Sequence, residues 1–245
     1  MKPVIIIQAR MGSTRLPGKV LMDIGGQTML ARVVNRARLA KTVRAIVVAT
    51  STSVSDDVII EQARALGVDA FRGDDEDVLS RFYKAARAFN ADVVIRITAD
   101  CPLIEPEIID RVITAFLEVY PKADFAANTL QRTYPKGMDV EVASFTALER
   151  AWRQAGKFYQ RTHVFPYIYE NPDSFDLISV TDERDNSWMR WTVDTEEDLE
   201  FVRAVYSALG NDDSVSWREV LVLLDRTPEL LEINKHVQQK ALEAG

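Results

Sequence analysis

Three cations, Arg10, Arg15 and Lys19, fall within one short stretch with no acid between them, interleaved with Gly12 and Gly18. Backbone N–H groups beside glycines can approach an oxyanion closely, and lysine and arginine neutralise its charge. The pattern therefore suits a phosphate-bearing ligand. Its spacing excludes two familiar phosphate loops. A P-loop reads G-x-x-x-x-G-K-[ST], whereas here the gap from Gly12 to Gly18 is one residue longer and Val20 follows Lys19. The dinucleotide pattern G-x-G-x-x-G is absent. A plain surface turn explains the glycines and Pro17, but not three cations directly after a first strand. Ser13 and Thr14 either donate to phosphate or cap the turn.

Asp100 and Asp194 are the matching anions. Each follows an apolar run, 92–98 and 189–193, that reads as a strand, and Pro102 keeps Asp100 out of a regular helix. Ligands of open α/β sheets collect at the carboxyl ends of strands. Two carboxylates facing a triphosphate loop there suit Mg²⁺, which takes one or two protein carboxylates together with phosphate oxygens and water. Each aspartate also has a plainer reading. Asp100 can form an Asx-turn, and Asp194 can merely precede the helix that Thr195 caps. The case rests on their convergence with the loop.

Other residues carry less. Cys101 reads as a small buried side chain, and His163 and His236 lack metal-ligand spacing. Trp188, Trp191 and Trp217 read as core or interface residues. The run Asp74-Asp75-Glu76-Asp77 reads as a solvated helix start. Arg72 and Arg81 flank it, and their spacing does not show whether they reach a nucleotide.

The elements that must hold these residues alternate between strand and helix, as in a largely parallel sheet covered on both faces. Strands are expected at 3–8, 44–49, 68–71 and 92–98. Helices are expected over 28–40, with Arg32, Arg36 and Arg38 mostly outside its apolar face, and over 56–66, 76–89 and 106–120. After about residue 122 the pattern changes to strands at 123–128 and 139–143 around a loop with Pro135, Lys136 and Gly137. A helix at 144–154, a helical piece through 163–169 and strands at 175–180 and 189–193 follow. Capping boxes at Thr195–Asp198 and Ser216–Glu219 open two further helices.

Composition bounds the reading. The chain has 245 residues, 47% of them hydrophobic and 27% charged, with a net charge of −7. It is long enough for a sizeable core in one domain, 1–245. The acidic balance argues against a broad nucleic-acid surface, and a local cationic pocket suits a small anion better. No apolar run is long enough for a membrane span. A single cysteine excludes an intrachain disulfide and fits the cytoplasm.

The segment Gln8-Ala9-Arg10-Met11-Gly12-Ser13-Thr14-Arg15-Leu16-Pro17-Gly18-Lys19-Val20-Leu21 resembles the N-terminal signature of the sugar-acid cytidylyltransferases. These include the acylneuraminate and 3-deoxy-manno-octulosonate enzymes, and the resemblance is greatest to the branch of spore coat polysaccharide biosynthesis protein F. The stretches 97–104, 137–142 and 190–199 resemble later motifs of that branch. The resemblance implies a nucleotide-diphospho-sugar transferase-like α/β fold: three layers, a mixed, mostly parallel sheet and a small inserted subregion. It implies CTP and a sugar acid as substrates, Mg²⁺ as cofactor, and a homodimer serving surface polysaccharide synthesis. Arg10, Gly12, Ser13, Arg15 and Lys19 would bind the triphosphate, with Ala9 and Ala99 near the nucleoside. Asp100 and Asp194 would bind the metal, and Lys19, Arg10 and Asp100 would act in catalysis. Acceptor choice and dimer contacts are expected in 124–170, with Lys136, Asp139, Glu141 and His163 as acceptor contacts. A glycosyltransferase of similar fold, or a non-catalytic nucleotide-binding protein, would be the alternatives. The former often carries Asp-x-Asp after a strand, where this chain has Asp100-Cys101-Pro102.

Overall fold

A computed structural model describes residues 1–239. Its strands are β1 (Pro3–Gln8), β2 (Asp23–Ile24), β3 (Gln27–Thr28), β4 (Ala45–Ser51), β5 (Asp69–Gly73), β6 (Val93–Thr98), β7 (Phe125–Ala127), β8 (Glu141–Ser144) and β9 (Leu177–Ser179). The α-helices are α1 (Met29–Arg38), α2 (Asp57–Ala65), α3 (Val78–Ala88), α4 (Pro106–Val119), α5 (Phe145–Gln154), α6 (Phe158–His163), α7 (Pro166–Tyr169), α8 (Glu196–Ala208), α9 (Trp217–Arg226) and α10 (Glu229–Glu232).

Seven strands form one sheet in the order β5-β4-β1-β6-β8-β7-β9. The first four are parallel, and β8 runs against both β6 and β7. The sheet is thus mixed and mostly parallel. Strand β1 is apolar from Pro3 to Ile7 because it lies inside the sheet with helices on both faces. Ile5 and Ile7 enter the core shared with α1, α4 and α8, while Val4 and Ile6 enter the one shared with α3 and α5. That split follows from the two-residue alternation of strand side chains. The reversal at β8 has one consequence for the site: Arg96, near the end of β6, stands opposite Glu141, the first residue of β8.

Local signals placed several boundaries. Pro106 occupies the first turn of α4, where its missing N–H costs nothing. Thr195 and Ser216 cap α8 and α9 through reciprocal boxes with Asp198 and Glu219. Gly67 follows α2 at φ +64°.

Three expectations are corrected. The segment 189–193 forms no strand; it makes one isolated bridge, Lys136 with Arg190, because its backbone bonds go to Lys136 and Asp100, in loops, instead of along a strand. The helical piece expected through 163–169 is two short helices, α6 and α7, broken at Val164 with φ +76°. Arg32 and Arg36 are not outside the apolar face of α1 but fully buried. Arg32 donates to Ile24, Gly25 and Asn211 carbonyls and to Asp213. Arg36 donates to Ile104, Asp213 and Val215 carbonyls and pairs with Glu105 at 3.1 Å. Each buried charge is thereby satisfied. No helix among the described residues is long and apolar enough to cross a membrane.

Candidate active site

The loop after β1 is folded by its own backbone. Met11 O accepts from Ser13 N at 2.9 Å and from Gly18 N at 3.0 Å. Gly18 has φ +73°, a conformation that favours glycine. Ser13 Oγ accepts from Leu16 N at 3.3 Å, so the hydroxyl caps the turn. Ala9 is buried and donates to Ala49 O. Gly12 is exposed, and a side chain there would meet no protein atom within 4 Å. The fold itself does not require glycine at that position, whereas close approach of a ligand to the backbone does.

Asp56 anchors the loop from below. Its Oδ1 accepts from Met11 N at 2.8 Å, and its Oδ2 from Thr50 Oγ1 at 2.9 Å and Ser51 Oγ at 2.6 Å. Burial pushes its pKa up, and the hydrogen bonds from Ser51, Met11 and Thr50 pull it below the usual range by more.

Lys19, half a turn further, is where the elements meet. It is nearly buried, and its Nζ donates to Asp100 Oδ2 at 2.7 Å, Val193 O at 2.8 Å and Asp194 Oδ1 at 2.9 Å. Asp194 Oδ2 also receives Arg15 and Arg190, each at 2.8 Å. Burial lowers the Lys19 pKa, but Asp100 and Asp194 raise it by more, so Lys19 is charged. Burial likewise raises Asp100, and Lys19 outweighs it, bringing the carboxyl down to about 2. The loop, the end of β6 and the segment before α8 therefore converge on one point. Two carboxylate oxygens already flank a single cation there. That donor set suits a small divalent ion completing its shell with phosphate oxygens and water.

The spacing of the two carboxylates is held by backbone and by α8. Val193 N donates to Asp100 O at 2.8 Å. Asp198 accepts from Asp194 N and from Arg190, and Tyr206 Oη donates to Pro102 O at 2.7 Å. Ala99 is buried and donates to Gln8 O. Arg10 is exposed, and its ion pair is with Asp75, at 3.6 Å.

The expected acceptor residues do not share one place: Lys136 bridges Arg190 in the segment before Asp194, Asp139 and Glu141 lie before and at the start of β8, and His163 ends α6. Glu141 is gripped by Arg96, which also donates to Gln8 Oε1. Burial outweighs Arg96 and keeps the Glu141 pKa above the ordinary carboxylate value. Asp139 receives both ends of Arg132, at 2.5 and 2.8 Å. Lys136 exchanges backbone hydrogen bonds with Met189 and Trp191. His163 ends α6, half-buried, and its carbonyl accepts from Phe165 N across the strained Val164. Asp139 and Glu141 are thus already paired within the chain.

Sequence reasoning missed Asp56, Arg96, Arg132, Arg190 and Asp198. Only the last two left a signal, a regular four-residue spacing through Asp194.

The family model for cytidylyltransferases matches residues 4–231. The chain belongs to the cytidylyltransferase family. Spore coat polysaccharide biosynthesis protein SpsF of Bacillus subtilis is 35% identical over 92% of this chain and 95% of that protein. A 3-deoxy-manno-octulosonate cytidylyltransferase of Chelativorans sp. is 43% identical over 46% of this chain and 45% of its own. The solved structure of a cytidylyltransferase from Leptospira borgpetersenii superposes with a TM-score of 0.92 at 34% identity, covering 98% of this chain and 100% of that one. As a cytidylyltransferase, the chain is a nucleotidyltransferase, and the cationic loop with its facing carboxylates is the part of the molecule suited to that chemistry.

Proposed function

We propose that this cytidylyltransferase transfers CMP from CTP to a sugar acid of the nonulosonic or octulosonic class, releasing pyrophosphate, in the synthesis of a surface polysaccharide. The observation that carries the reading is the meeting of Asp100 and Asp194 on Lys19 Nζ beside the glycine loop. The relatives support it: one is named for an octulosonate substrate and another for spore coat polysaccharide.

The chemistry is attack of an acceptor hydroxyl oxygen on the α-phosphorus, the hydroxyl proton passing to water and the bond to the departing pyrophosphate breaking. Gly12 offers backbone, and Arg10, Arg15 and Lys19 offer charge, to the triphosphate. Lys19 and Arg15 can move their charge from Asp194 and Asp100 to phosphate oxygens, and the carboxylates so freed would hold Mg²⁺. Bound there, Mg²⁺ would supply further positive charge to the phosphates. Lys19 would stabilise the negative charge that builds on the phosphate oxygens in the transition state, by fixed electrostatics and without a protein nucleophile.

The test is pyrophosphate release with each of ATP, CTP, GTP and UTP against a panel of nonulosonic and octulosonic acids. Release with CTP and one class of acid is expected. Turnover only with a preformed nucleotide-sugar would replace this reading with glycosyl transfer. Tight CTP binding with no turnover on any acid would favour a non-catalytic role.

A further inference from the structure

Arg190 is buried, and three side chains hold its guanidinium. Nε donates to Asp198 Oδ1 at 2.9 Å, and Nη2 donates to Asp198 Oδ2 at 2.9 Å and to Asp194 Oδ2 at 2.8 Å. Nη1 donates to Gln239 Oε1 at 2.5 Å. An arginine fork commonly grips a carboxylate with two parallel N–H groups. Here that grip falls on Asp198, so Asp194 receives one nitrogen on one oxygen. Its other oxygen, Oδ1, accepts from Lys19 Nζ at 2.9 Å, the same atom that Asp100 Oδ2 meets at 2.7 Å.

Two of the groups that fix this arrangement come from the segment after α10. Asn234 is 4% exposed, and its Nδ2 donates to Asp198 Oδ1 and to Arg190 O, both at 2.9 Å. One amide thus ties the carboxylate that grips Arg190 to the backbone of Arg190 itself. Gln239 takes the remaining nitrogen of the guanidinium. Leu230, Leu231 and Ile233 seat the segment by packing against the core that contains Trp191 and Val202. Asn234 and Gln239 both lie beyond residues 4–231, the part of the chain that the family model matches.

We propose that Asn234 and Gln239 are positioning residues for the metal. They keep the Arg190 fork on Asp198, which leaves Asp194 Oδ1 for a divalent ion once Lys19 turns to the phosphates. The inference rests on Asp194 being a metal ligand. Without the two anchors, the guanidinium can turn a second N–H group toward Asp194 and take both of its oxygens. A cation that grips both oxygens competes with the ion for Oδ1. Groups that touch a ligand, and not the ion, commonly set metal affinity by about 10- to 100-fold.

The experiment measures Mn²⁺ binding by electron paramagnetic resonance, without nucleotide, and the melting temperature of each chain. It compares the wild type with Asn234→Ala, Gln239→Ala, Gln239→Glu, Asp194→Asn and Leu148→Ala. Asn234→Ala and Gln239→Ala should both raise the Mn²⁺ dissociation constant, the first by about tenfold or more. Gln239→Glu keeps an acceptor for Nη1 and should bind Mn²⁺ no more weakly than the wild type. Leu148 is buried in the core on the other face of the sheet. Its alanine variant should melt lower with Mn²⁺ binding unchanged, which separates positioning from general loss of stability. Gln239 is exposed, so its two variants decide the matter if Asn234→Ala fails to fold. Unchanged Mn²⁺ binding in the folded alanine variants of Asn234 and Gln239 overturns the inference. An equal loss in Leu148→Ala or Gln239→Glu overturns it as well. Weaker binding in Asp194→Asn then leaves the metal site itself standing. A wild type that binds no Mn²⁺, or binding untouched by Asp194→Asn, removes the metal reading and the inference with it.

Discussion

The cluster around the glycine loop, where the donor would bind, and the β6–β8 pairs, where acceptor contacts are expected, are held by opposite arrangements of charge. On the donor side, cations share anions: Asp194 receives Lys19, Arg15 and Arg190 together, and Lys19 spans two carboxylates and a carbonyl. On the acceptor side, each carboxylate is matched to one arginine, Glu141 to Arg96 and Asp139 to Arg132. Asp194 can give up one cation to an arriving polyanion and keep two others. A one-to-one pair cannot, because a charge left alone out of water is costly. The donor side is therefore suited to exchange of partners, and the acceptor side to fixed shape.

The sharpest way to break this comparison is Lys19→Ala. Turnover in pyrophosphate release should fall by about 100- to 1000-fold, as for loss of one preorganised donor. The melting temperature should fall as well, by about 4 °C or more, since Arg15 and Arg190 still hold Asp194 but Asp100 loses its one ion pair. Near-normal turnover would remove Lys19 from the chemistry. Asp100→Asn should raise the midpoint of a Mg²⁺ titration by about tenfold or more; an unchanged midpoint would take Asp100 out of the metal site. Arg132→Ala should raise the KM for the acceptor by about tenfold, the worth of one charge-assisted hydrogen bond, and leave the KM for CTP as it was. Equal effects on both KM values would show that the two sides are not separable.

The smallest effect is a difference of sign with pH. The Asp100 pKa is about 2 in the fold, under its ordinary 3.8. Its ionised form therefore stabilises the fold above pH 3.8, and that stability is lost as pH falls through about 2. Glu141 lies above its ordinary 4.5. Its protonated form favours the fold below 4.5, and that preference is lost as pH rises through the folded value. Urea unfolding across pH should show Asp100→Asn flattening the acid limb and Glu141→Gln flattening the slope above 4.5. The same slope change in both variants would contradict the opposite signs.

Much of the donor side was legible because its residues are consecutive or stand at strand ends. Arg10 through Lys19 is one stretch, and the apolar run before Asp100 announces β6. The remainder depends on partners far apart in sequence. Periodicity alone placed Arg32 and Arg36 in water, since nothing near them announces Asp213 and Glu105, their buried partners. The run 189–193 reads as a strand from its apolar residues, yet nothing local says that its backbone partners, Lys136 and Asp100, lie in loops. Strands β2 and β3 are two residues each, too short for any pattern. The acceptor side is assembled from β6, β8 and the loop before it, so its pairs are invisible until the register of Arg96 with Glu141 is known.

Asp198 and Tyr206 lie about two turns apart on α8, one fastening Asp194 and Arg190 and the other fastening Pro102 beside Asp100. The gap between the two carboxylates is thus gauged by a helix that belongs to neither loop. Changes in 124–170, where acceptor choice is expected, need not recalibrate that gap. The converse also holds: a lesion buried in α8 should throw the chemistry out of true while every residue of both loops stays unchanged.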